Sequence, residues 1–224
     1  SFDLARRSIS RDAHEALDNF QNQNFIGSRF ILNRITDNCV TCHTKLPAER
    51  EFGPGKDFLD SINMSTLPLT VRANLQIAAR QFADAQKTYE DVLADPKMTA
   101  DDLNAFEVFP NYLRVSVGAM NDTKRPAGTL KKVEKRADMP VALKADVQVW
   151  IKSLESLKLN VAKGEELATA RRMVADARAK TTSLTDRSRL VDFVGAITLT
   201  HRYLRAGGHT EMEVAEGYYL LGVS

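Results

Sequence analysis

Apolar residues recur at helical spacing from one end of this 224-residue chain to the other, and no stretch alternates as a half-buried strand would. The pattern predicts an all-α fold of roughly nine helices with short connections. Ala13, Leu17 and Phe20 mark one apolar face after Ser10, and Phe30, Ile31 and Ile35 mark a second after Gly27. Phe82, Ala85, Tyr89, Val92 and Leu93 make a stripe that stops at Asp95-Pro96. A strong stripe follows at Leu143, Val147, Trp150, Ile151 and Leu154, and thinner ones at Leu167, Ala170, Val174 and at Leu190, Val194, Ile197. Gly207-Gly208 reads as a stop, and Thr210 with Glu213 as the capping box that starts a last helix. At 43% hydrophobic and 27% charged residues, the chain can bury a core without disulfide help.

The second predicted helix runs into Cys39-Val40-Thr41-Cys42-His43. Cys-x-x-Cys-His is the arrangement that attaches a c-type haem: two thiols add across the porphyrin vinyls, and the imidazole ligates the iron. A zinc site would need further ligands, yet both cysteines are in the motif and only His14, His201 and His209 remain. A thioredoxin-type pair prefers a βαβ context, which the surroundings lack. On these five residues the chain resembles the c-type cytochromes. The resemblance implies one covalent haem c on Cys39 and Cys42, with His43 as proximal iron ligand. It also implies attachment outside the cytoplasm, hence a periplasmic protein whose signal peptide has already been removed.

The sixth iron ligand separates electron transfer from gas binding or catalysis. Met64 is the candidate distal ligand, placed after the motif as the methionine loop is in class I cytochromes, and His14 on the first helix is the alternative. Pro47, Gly53, Pro54 and Gly55 suggest a loop folding over the porphyrin edge. His201 reads as a core residue, His209 as a loop or cap residue, and Met98, Met120, Met139, Met173 and Met212 as packing. No phosphate loop, nucleophile elbow or carboxylate pair is present, so no catalytic residue is assigned.

Residues 1–65 are expected to form the haem-binding unit and 66–224 an array of antiparallel helix pairs. Ala85 and Tyr89, and later Tyr218, Leu221 and Gly222, resemble fragments of the tetratricopeptide repeat, which would end the chain in mid-repeat. The last helix, near Tyr219 and Leu220, is then expected to pack back as a cap or to offer a contact to a partner or second copy. Between Lys124 and Arg136 six basic residues face one acidic residue, Glu134, read as a solvated helix face over a docking patch. The net charge of +2 speaks against nucleic acid, and no apolar run is long enough for a membrane span. The function expected is a one-electron carrier docking to a redox protein through its helices. The alternatives are a haem-based gas sensor and a haem-stabilised scaffold, with a haem enzyme last.

Overall fold

The computed structural model describes residues 2–44, 53–183 and 186–223. Twelve α-helices and no strand occur among the described residues, so the fold is all-α. In chain order they are α1 (Phe2–Gln21), α2 (Phe25–His43), α3 (Gly53–Asp60), α4 (Leu69–Ala78), α5 (Phe82–Ala94) and α6 (Ala100–Ala105). There follow α7 (Val108–Leu113), α8 (Lys124–Val133), α9 (Val141–Ser156), α10 (Glu166–Lys180), α11 (Leu190–Ala206) and α12 (Glu211–Val223). The excess over the expected number comes from short elements. A helix of six residues, as α6 and α7 each are, shows too little of its face to produce a stripe.

Neighbouring helices pack in pairs, α1 on α2, α4 on α5, α8 on α9 and α10 on α11, while α12 lies on α11 and α10. Several helix ends match their sequence signals. The α5 helix ends at Ala94, before Pro96, and α11 ends into Gly207, whose φ of 70° suits a residue without Cβ. The Thr210 hydroxyl and backbone N–H donate to Glu213 at 2.9 and 2.8 Å, completing the capping box.

One core runs through α4 to α12, with Tyr89, Phe109, Tyr112 and Trp150 fully buried in it. Phe109 and Trp150 meet at 5.7 Å between ring centroids, and the Trp150 Nε1–H donates to the Arg187 carbonyl at 2.8 Å. From the first two helices Val40, 1% exposed, joins this core, whereas Ala16 and Ile31 are buried outside it.

Three expectations need correction. The segment Gly53-Pro54-Gly55 is the first turn of α3 rather than a loop. Proline is tolerated there because the first N–H groups of a helix have no partner within it. On α1 the buried side is Asp12 and Ala16, while Leu17 and Phe20 are exposed, because α2 offers Arg34 to that side and Asp12 answers it at 3.0 Å. Met212 is 80% exposed and does not serve as packing, unlike Met98, Met120, Met139 and Met173, which lie against the core.

Three of the six basic residues in the Lys124–Arg136 stretch are engaged by the fold, while Lys124, Lys132 and Lys135 are exposed. Arg125 grips Glu90 with Nε and Nη2, both at 2.7 Å, and Lys131 pairs with Glu155. Arg136 pairs with Asp138 at 3.0 Å and reaches the Leu93 and Asp95 carbonyls. At the far end, Leu220 of α12 is buried and Tyr218 and Tyr219 are exposed.

Candidate haem attachment site

Cys39, Cys42 and His43 occupy the last turns of α2. Their positions follow from helix geometry: Cys39 lies one turn below both Cys42 and His43, so the sulfurs and the imidazole rise along one end of the helix. Cys42 is exposed and Cys39 half-buried, and burial pushes the Cys39 thiol up from its ordinary range, with the neighbouring Cys42 adding to the shift.

This end of α2 is held at three points. Val40 is anchored in the main core. The half-buried His43 ring approaches α4, its Nδ1 3.3 Å from the Ile77 carbonyl. A carbonyl can only accept, so Nδ1 is the donor in this contact, and in the neutral imidazole Nε2 is then the nitrogen that carries the lone pair. Thr44, the buried C-cap, turns its hydroxyl onto the Val40 carbonyl at 2.8 Å. Its own carbonyl lies against Gly118, where a Cβ would come within 2.9 Å of the oxygen. Gly118 belongs to a π-helical turn, Arg114–Ala119, that continues α7. Such turns re-aim a helix locally, and here the glycine brings its backbone close against the carbonyl after the histidine. A similar approach seats α3, because a Cβ on Gly55 would fall 2.6 Å from the Ala79 carbonyl at the end of α4.

The distal candidates lie elsewhere. The ion pair between Asp12 and Arg34 fixes the register of α1 on α2 and sets His14 level with Leu32. That is three turns, about 16 Å, short of His43 along the helix axis. His14 is exposed, and its Nδ1 lies 2.7 Å from the Ser10 carbonyl of its own helix. Met64 is half-buried in a short 3₁₀ turn, Met64–Thr66, that leads into α4. It stands at the opposite end of α4 from the Ile77 carbonyl that His43 reaches. Pro47 lies outside the described residues.

The other two histidines lie on or next to α11. His209 stacks on Tyr203 with centroids 3.8 Å apart and meets the Tyr203 carbonyl through Nε2 at 2.6 Å, while His201 is half-buried on α11. No group of three or more His, Cys, Asp or Glu suited to a metal ion occurs among the described residues. A haem needs no such group, since two thioethers and one imidazole hold it. The contacts at Ile77 and Gly118 were not foreseeable from the motif, because both residues are remote in sequence and carry no metal-binding chemistry. No family model, curated protein or solved structure matches the chain.

Proposed function

We propose that this chain is a periplasmic monohaem c-type cytochrome that carries single electrons to or from a partner protein. The observation that carries the reading is the hydrogen bond from His43 Nδ1 to the Ile77 carbonyl. It selects the tautomer an iron ligand requires and restrains the ring, as the outer partner of a metal-bound histidine does. The residues present fit the group. Cys39 and Cys42 would hold its edge covalently, and the exposed Cys42 leaves room on the solvent side. When bound, the haem supplies a ferric/ferrous couple. The chain's own residues then set the position of that couple: Val40, Thr44 and Gly118 fix the end of α2, so the imidazole is held before any partner arrives. The helical body from α4 onward is the docking module in this reading, with the tetratricopeptide-like array as its proposed form.

A second reading, a haem-based gas sensor, is favoured by the distance of His14 from the motif and by the place of Met64 at the far end of α4. An iron without a second protein ligand accepts diatomic gases.

The test is to export the chain in a host with haem-ligation machinery and to record spectra of the oxidised and reduced forms with and without carbon monoxide. Covalent haem that survives denaturation, and is lost in Cys39→Ala with Cys42→Ala, supports the assignment. A protein that leaves the host without haem overturns it. A low-spin spectrum inert to carbon monoxide favours the carrier, and a high-spin spectrum that responds favours the sensor.

A further inference from the structure

A layer of two helices has two broad sides, and each is either covered by another layer or left to water. In the hairpin of α1 and α2 the seam between the helices is closed by Asp12 and Ala16 from one and Ser28 and Ile31 from the other, all buried. The hairpin is anchored to the body at the C-terminal end of α2, through Val40, His43 and Thr44. Glu15 and Arg34 pair across one of its broad sides at 3.4 Å, and Ile26 and Phe30, at four-residue steps before Arg34, lie on that side with them.

The other broad side is apolar and open. Phe25 and Leu32 are seven residues apart on α2 and share one face, as Leu17 and Phe20, three residues apart, do on α1. The Phe20 and Phe25 rings meet edge to face with centroids 5.4 Å apart, which puts both pairs on the same side of the hairpin. Leu17, Phe20, Phe25 and Leu32 stand 52%, 58%, 57% and 53% exposed. Between Ser10 and Thr36, Arg29 is the one charged residue that helical spacing places along this side, and it lies at the edge.

At about 200 Å² for a full large side chain, these four leave about 400 Å² of apolar surface in water. With Ala13, Gln21, Arg29 and Thr36 around them the side reaches about 700 Å², so two copies face to face would bury about 1,400 Å², within the size class of stable protein interfaces. The chemistry favours a second copy over a lipid surface. Helices that lie on membranes flank their apolar side with several Lys and Arg, and here there is one cation. A second copy brings the same uncharged strip, sets no like charges against each other at the centre, and turns two open layers into a four-helix bundle.

We propose that the open side of the α1–α2 hairpin is a self-association surface, on which a second copy of this chain lays its own Leu17, Phe20, Phe25 and Leu32 across a two-fold axis. The surface is independent of the haem reading. None of the four residues belongs to the Cys39–His43 motif, and Cys39 stands seven residues, about 10 Å, beyond Leu32.

Sedimentation equilibrium of the purified chain from about 1 to 100 µM tests it, in reducing buffer so that Cys39 and Cys42 cannot link copies. The variants are Leu17→Gln and Leu32→Gln in the strip, and Phe30→Gln, 67% exposed on the opposite side. The expected result is a monomer–dimer equilibrium in the wild type and in Phe30→Gln. A two-fold interface carries each substitution twice, so a tenfold loss at one site reads as a dimer constant weakened about a hundredfold in Leu17→Gln and in Leu32→Gln. Circular dichroism at the lowest concentration confirms that each variant keeps its helices, and because the two strip positions lie on different helices, one stays informative if the other unfolds. A wild-type chain that remains monomeric, a dimer constant unchanged in both strip variants, or one weakened as much in Phe30→Gln overturns the proposal. A monomer that floats with phosphatidylcholine vesicles overturns it as well, and assigns the side to lipid.

Discussion

Single atoms decide how tightly the end of α2 is held. At Gly118 the backbone approaches the Thr44 carbonyl so closely that one added methyl group must push the π-helical turn away from it. Gly118→Ala should cost about 1–3 kcal/mol in urea unfolding, the usual cost of overpacking. A different kind of local control operates at Asp138. The Arg136 guanidinium, helped by the Ala100 N–H, holds its carboxyl down at about 2. A carboxyl depressed by folding stabilises the native state above its ordinary value and loses that contribution as pH falls through the depressed one. The thermal midpoint of Asp138→Asn should therefore lie below that of the wild type at pH 6, and the gap should close as the pH approaches 2. A gap that is constant with pH would show that the carboxylate charge is not what Arg136 holds.

Among the elements, the long helices were readable because each presents several turns of apolar side chain to one core. Trp150 shows what the stripe of α9 accomplishes: its ring packs on Phe109, and its indole N–H fixes the Arg187 carbonyl in the connection before α11. Trp150→Phe should lose about 1–3 kcal/mol, since the fully buried ring gives up core volume together with its hydrogen bond to the Arg187 carbonyl, which keeps only the Leu190 N–H. The same change should speed amide exchange around Ser188 relative to α5. Elements were misread where a local rule met a tertiary one. Proline and glycine around Gly53 read as breakers, although proline fits a first turn. On α1 the apolar side was assigned to Leu17 and Phe20, but the neighbour that the chain supplies is α2, whose Arg34 draws Asp12 inward instead. The proposed attachment motif can be read without a structure because it is five consecutive residues, Cys39 to His43. The contacts that hold it cannot, since Ile77 and Gly118 lie far from it in sequence.

For the molecule as a whole, the contrast between its two ends of packing matters most. The body from α4 to α12 shares one core, while the hairpin of α1 and α2 carries Phe20, Phe25 and Ile26 in the open, Ile26 at 87% exposure. Because the Ile26 side chain is already in water, Ile26→Ser should change unfolding free energy by less than about 0.5 kcal/mol. A larger loss would mean that this side of the hairpin tip is covered in solution. The hairpin is tied to the body at Val40, between the two cysteines, and under the proposed haem reading this bears on the order of maturation. In the folded apoprotein Cys42 should react with iodoacetamide well before Cys39, whose thiol is half-buried and held protonated by burial, as peptide mass spectrometry would show. A chain that is to receive two bonds from one porphyrin is thus best served while α4 has not yet closed on α2, and completed packing would then seal the second bond behind it.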